Sequence, residues 1–258
     1  MKLELKGKTA VVTGGSEGIG RFSAATLAAE GASVVICARR RDVLERAASE
    51  IREDTGGEVI AVPTDVTVPE QIDHLFSVVE DQFGVLDILL NNAGRHMSGH
   101  FMDMTDEQWY GDLDLKLMAA VRCSRLAVPL MRKRGGGRII NITTPLGKAP
   151  SPGSVPTSVS RAAGIALTKA MSYDLAADNI LVNTVCIGHV KSAQMQSTPL
   201  AKGTSLEALF GVLERSVPLG RIGETQEAAD LIAYLASERA SYITGCAINL
   251  DGGFSAVV

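Results

Sequence analysis

Glycines 14, 18 and 20 stand in the run Thr13-Gly14-Gly15-Ser16-Glu17-Gly18-Ile19-Gly20, between an apolar β-branched segment and one of helical period. At this spacing they permit a tight turn, let backbone approach a pyrophosphate and let a helix pack closely on a sheet. The free N–H groups of the helix N-terminus, which include those of Ile19 and Gly20, then face the anion. A nucleotide-hydrolase loop is disfavoured, because Gly20 is followed by Arg21-Phe22 rather than by Lys and a hydroxyl residue. The end of the next strand decides the cofactor type. An NAD site places an acidic residue there for the ribose 2′-hydroxyl, but this chain reads Cys37-Ala38-Arg39-Arg40-Arg41, with Asp42 already inside the following helix. Arg39 suits a 2′-phosphate, where one charge-assisted hydrogen bond contributes about 1.5–3 kcal/mol. The expectation is NADP(H) in preference to NAD(H). Two features oppose it: Glu17 puts negative charge close to that phosphate, and three arginines also make an ordinary solvated helix start.

Such a loop needs a sheet edge to sit on. Short β-branched runs near 8–13, 33–37, 58–62, 86–90, 137–142, 180–186 and 246–250 predict strands, and segments of helical period near 18–30, 40–53, 68–83, 105–133, 158–177 and 225–236 predict helices. This βαβα rhythm implies an α/β fold of Rossmann type, a doubly wound parallel sheet with helices on both faces, in a single domain over 1–258. The stretch near 189–217 breaks the rhythm and reads as an insertion, either a lid or a packed surface helix, with Leu206, Leu209, Phe210 and Leu213 on one face.

The chain has 258 residues with 25 Lys+Arg against 29 Asp+Glu, a net charge of −4, which argues against a general nucleic-acid or anionic-membrane binder. No apolar run approaches the roughly 20 residues of a membrane span, and no signal core precedes the first strand pattern. Cys37, Cys123, Cys186 and Cys246 lack CxxC or zinc spacing, so reduced thiols, a cytoplasmic protein and no metal site are expected. Glycine is abundant at 26 residues, whereas tyrosine numbers only four, which matters for the chemistry below.

Taken together, these motifs resemble the short-chain dehydrogenase/reductase family along essentially the whole chain. Thr13 to Gly20 resembles its cofactor loop, Asp65-Val66 its adenine contact, and Asn91-Asn92-Ala93-Gly94 the turn after its fourth strand. Asn183 through Gly188 and Val190 resemble the loop over the nicotinamide, while Pro218 to Gly223 and Thr244 to Gly253 resemble the C-terminal signature. The resemblance implies a nicotinamide-dependent oxidoreductase that assembles as a homo-dimer or homo-tetramer through its two long helices. It also implies a Tyr-x-x-x-Lys pair, a Ser and an Asn as the catalytic set. Here those positions hold Thr157, Arg161, Thr144 and Lys116, and no tyrosine of the chain has a lysine four residues on. Ile187 stands for the family's Pro, and Ser192 for its Thr.

These substitutions change the chemistry expected. An aliphatic hydroxyl such as Thr157 is far too weak an acid to replace tyrosine, and Thr157, directly after Pro156, doubles as a candidate helix N-cap. Arg161 can bond the nicotinamide ribose but does not give up a proton. Thr144 keeps a hydroxyl for the substrate oxygen. Lys116, facing Arg161, would have its ammonium disfavoured and become a proton donor; the competing reading pairs it with Asp112, four residues earlier on the same helix. Of the histidines, His74 reads as solvated, while His96, His100 and His189 fall in loops at the carboxyl edge. Met97, Phe101, Met102, Met195 and Phe210 are candidates for an apolar substrate pocket. The leading expectation is reduction of a carbonyl or conjugated alkene. The alternatives are a dinucleotide-binding protein that has lost catalysis and a non-redox lyase or isomerase.

Overall fold

The computed structural model describes residues 2–192, 195 and 205–258. In chain order its first half runs β1 Thr9–Thr13, α1 Gly18–Ala29, β2 Ser33–Ala38, α2 Arg41–Thr55, β3 Val59–Pro63, α3 Pro69–Phe83, β4 Ile88–Asn91 and β5 Ser98–Gly99. The second half runs α4 Asp106–Leu113, α5 Ala119–Arg134, β6 Gly137–Thr143, β7 Val155–Pro156, α6 Thr157–Asp174, β8 Ile180–Ile187, α7 Leu206–Glu214, α8 Thr225–Ala236 and β9 Ala247–Leu250. Seven strands form one parallel sheet in the order β3-β2-β1-β4-β6-β8-β9. The doubly wound architecture expected from the sequence is the one observed.

The strands read as apolar runs because both faces of the sheet are covered. Along β1, Ala10 and Val12 face a core shared with Leu27 of α1, Leu44 of α2 and Ile232 of α8. Val11 faces the other way, into a core with Leu75 of α3 and Leu130 and Met131 of α5. Each of the larger of these side chains, at most 4% exposed, contributes about 1.5–3 kcal/mol. Gly56, Gly84 and Gly135 end α2, α3 and α5 in the left-handed region that glycine tolerates best.

Strand order reverses between β1 and β4, so the crevice where an open parallel sheet takes ligands lies above the carboxyl ends of these two strands. Two features depart from the expected elements. The helix expected over 105–133 is interrupted by a π turn at Asp114–Met118, which carries Lys116. A two-residue antiparallel pair, β5 with β7, joins the loop after β4 to the entry of α6. Of the insertion expected near 189–217, residues 193–194 and 196–204 lie outside the described residues, as does the side chain of Leu206. Leu209 of α7 is buried, and Phe210 and Leu213 are half-buried.

Candidate active site

The three loop glycines meet different demands. Gly14, at φ +69°, makes the turn, and a Cβ there would lie 2.9 Å from Asn92 Nδ2. Gly20 is required by packing, since its Cβ would sit 2.2 Å from the Gly14 carbonyl oxygen. Gly18, at φ +54°, faces open space whose nearest atom is Ser192 Cβ at 3.7 Å. No side chain caps the N-terminus of α1, so its first-turn N–H groups remain available to an anion. Asn92 fastens the loop to the next strand end: its Nδ2 donates to the carbonyls of Thr13 at 2.9 Å and Gly14 at 3.1 Å. Thr13 Oγ1 in turn accepts from the amides of Asn92 and Ala93. Ser16 and Gly18 also border an open cavity of about 590 Å³ beside α1 and α2, lined as well by Lys191, Ser192 and Phe210.

At the end of β2, Glu17 is paired with Arg40 at 2.5 Å, which offsets the opposing charge anticipated from the sequence. Arg41 pairs with Glu45 on its own helix. Arg39 is exposed and has no ion pair among the described residues. The Asp65 carboxyl stays below its ordinary range although partial burial raises it, because the Thr67 amide and hydroxyl donate to it and Arg39 lies nearby. Val66 is buried in the core on that face. On the other side of the crevice, a Cβ on Gly188 would lie 2.6 Å from Asp251 Cβ, and Val190 is buried and bridges to Gly223.

Helices α4 and α6, with the π turn, bring the remaining residues together. Lys116 Nζ lies 2.5 Å from Asp112 Oδ1 and donates to Thr157 Oγ1 at 2.6 Å. Thr157 Oγ1 donates to the Met97 carbonyl oxygen, and Ser160 Oγ donates to Asp112 Oδ2 at 2.6 Å. Lys116 is thus ion-paired with Asp112, as the competing reading has it, and it also lies where Arg161 disfavours its charge. Burial first, then the Arg161 guanidinium, lower its ammonium to about 8 against the pull of Asp112. Arg161 donates through Nη1 to the Ile142 carbonyl at 2.7 Å, and its Nη2 lies against Gly94, where a Cβ would come within 2.9 Å. Burial lowers Arg161 to about 10, leaving it charged at neutral pH. Its Nε and the Thr144 hydroxyl are buried without hydrogen-bond partners among the described residues.

Sheet, glycine loop and the segment through the C-terminal strand match, over residues 14–255, a family model described as Enoyl-(Acyl carrier protein) reductase. The chain belongs to the short-chain dehydrogenase/reductase family. Among similar proteins, 3-oxoacyl-(acyl-carrier-protein) reductase FabG of Escherichia coli (strain K12) is 34% identical over 251 residues, covering 97% of this chain and 98% of that one. Nodulation protein G of Rhizobium sp. (strain N33) is 36% identical over 255 residues, covering 98% and 99%. L-sorbose reductase from Gluconobacter frateurii, solved with NADPH and L-sorbose, superposes with a TM-score of 0.95 at 35% identity, covering both chains completely.

Several expectations for this short-chain dehydrogenase/reductase need correction. Thr157 is the first residue of α6 and its N-cap position is Pro156, so its hydroxyl serves Lys116 and Met97 rather than a helix end. Phe101 and Met102, offered as pocket residues, are 69% and 87% exposed. Phe210 borders the cavity beside α1, and Met97 contributes its backbone carbonyl to Thr157. His74 and His100 are exposed, whereas His189 is half-buried, stacks at a tilt on Phe254 and is lowered by burial. Ser160 and Thr13 were missed. The signal for Ser160 is its place one turn after Thr157, on the same face of α6.

Proposed function

We propose that this chain is an NADP(H)-linked oxidoreductase that reduces a carbonyl or a conjugated alkene with Lys116, Thr144, Thr157 and Arg161 as its catalytic set, where the family has Asn, Ser, Tyr and Lys. The observation that carries the proposal is the buried Lys116 ammonium, held 2.6 Å from Thr157 Oγ1 beside Arg161. A cavity-facing Gly18 and an uncapped α1 fit a dinucleotide, and so does the unpaired Arg39. In this reading Gly14, Ser16, Gly18, Ile19 and Gly20 surround the pyrophosphate, and Arg39 takes the 2′-phosphate. Asp65 and Val66 border the adenine. Asn92, Ala93, Gly94, Arg161, Gly188 and Val190 surround the nicotinamide half, with the spare donors of Arg161 on its ribose.

The cofactor, when bound, supplies a hydride. The protein's share is the oxygen that gains charge as the carbonyl is reduced. The Thr144 hydroxyl, which lacks a partner, donates to that oxygen, and the Lys116 ammonium gives it a proton and is recharged from solvent. Thr157 and the Met97 carbonyl hold the lysine rather than transfer the proton themselves. With a conjugated alkene, solvent protonates the enolate carbon while Lys116, Arg161 and Thr144 hold the oxygen. Positioning alone supplies roughly 7–11 kcal/mol of a barrier and acid catalysis roughly 3–5.5. A changed acid is therefore compatible with turnover.

One observation favours a second reading. The Lys116 side chain is only 1% exposed, and Asp112 and Thr157 engage it, as in a dinucleotide-binding protein whose catalysis has been lost. NADPH deuterated at its transferable position separates the two. Deuterium appearing on the product carbon across a panel of ketones and enones supports the oxidoreductase. Tight cofactor binding with no transfer anywhere in the panel supports the binding protein.

A further inference from the structure

Asp112 on α4, Lys116 on the π turn and Thr157 and Ser160 on α6 close a ring that includes the Thr157 backbone carbonyl. Asp112 Oδ1 meets Lys116 Nζ at 2.5 Å, and Lys116 Nζ meets Thr157 Oγ1 at 2.6 Å. Ser160 Oγ reaches both the Thr157 carbonyl, at 3.1 Å, and Asp112 Oδ2, at 2.6 Å. Asp112 is wholly inaccessible and Ser160 is 1% exposed. A carboxylate so deep is costly unless it is paired: Oδ2 accepts from Ser160, while Oδ1 accepts no hydrogen bond among the described residues and has the Lys116 ammonium as its ion-pair partner. Two parallel ties therefore join α4 and the π turn to the first turn of α6. Arg161 on α6, and Arg95 and His96 on the loop after β4, are the other titratable groups that bear on this cluster. Two arginines oppose the charge of Lys116, and Asp112 is the carboxylate that sustains it.

We propose that Asp112, held by Ser160, is a positioning residue that keeps Lys116 charged and in register with Thr157. This rests on the reading of Lys116 as proton donor, and the two are tested separately. The first readout is the Nζ titration of Lys116 by ¹⁵N NMR in the NADP⁺-loaded protein, with the resonance assigned by its loss in Lys116→Met/Asp112→Asn. In Asp112→Asn the Lys116 titration falls by about one unit or more. The alkaline limb of the reductase pH profile moves down with it, while KM for the cofactor is unchanged. An unmoved titration overturns the proposal. A moved titration beside an unmoved rate limb leaves the positioning role standing and overturns the proton-donor reading. If Asp112→Asn does not fold, Ser160→Ala supplies the test. It lowers kcat several-fold without raising KM for the cofactor, and Ser160→Thr, which keeps the hydroxyl, restores it. Full kcat in Ser160→Ala contradicts the role of Ser160.

Discussion

At the scale of single residues, the account turns on a buried charge whose partners differ in what they ask of it. Lys116→Met strands the Asp112 carboxylate, and breaking a buried pair from one side costs about 3–5 kcal/mol. Urea denaturation should show that loss, and Lys116→Met/Asp112→Asn should recover most of it. Activity and stability should also move oppositely with pH. The Lys116 ammonium titrates at about 8 in the folded protein against its ordinary 10.5. Between those values the unfolded chain holds a proton that the folded one has released, so the Lys116 contribution to stability improves as pH rises through this window. With Lys116 as the proposed proton donor, reduction should decline from about pH 8 upward. With Arg39 on the 2′-phosphate, as proposed, Arg39→Ala should weaken NADPH binding roughly ten- to hundredfold in a fluorescence titration and leave NADH nearly unaffected. Equal losses for both would remove Arg39 from the 2′-phosphate.

At the scale of elements, the glycine loop separates fold from ligand. Gly20→Ala drives a Cβ into the Gly14 carbonyl, an overpacking cost of about 1–3 kcal/mol or more that lowers Tm with or without NADP⁺. Gly18→Ala meets only open space and a positive φ. Its apo stability should fall only by the roughly 1–2 kcal/mol that an L side chain costs at this φ, while the stabilisation by NADP⁺ is lost. Thermal denaturation of both variants with and without NADP⁺ checks this contrast. The strands were legible in sequence because a sheet covered on both faces demands continuous β-branched runs, and β1, β2 and β6 begin within a residue of where those runs place them. The π turn was not legible. A one-residue slip between Asp112 and Ala119 leaves the apolar period of the flanking turns almost intact, yet it carries Lys116. The β5 and β7 pair is too short, and contains Pro156, so no strand pattern announces it.

At the scale of the whole molecule, the placement of the proposed cofactor residues was readable because they lie at strand ends whose order the βαβ rhythm determines. The catalytic half was only partly so. Asp112 and Ser160 are 48 residues apart and meet through the packing of α4 on α6, which no local pattern encodes; Asp112 was visible in sequence solely as the neighbour of Lys116 on one helix. The fold as a whole should respond to its ligand: NADP⁺ at a hundredfold excess over its Kd should stabilise the protein by about 2.7 kcal/mol. We also propose the homo-dimer or homo-tetramer that the family suggests. Helix α6 leaves Val159 and Tyr173 44% and 72% exposed, and sedimentation velocity should show a species of at least twice the 27.2 kDa chain mass. The central claim is that Lys116 gives the proton during reduction. Its most direct test is single-turnover deuterium transfer from labelled NADPH by the wild type and by Lys116→Met/Asp112→Asn, in which neither member of the Lys116–Asp112 pair is left buried without the other. The variant should bind NADPH as tightly as the wild type but transfer deuterium at least a hundredfold more slowly. Transfer at the wild-type rate would contradict the claim.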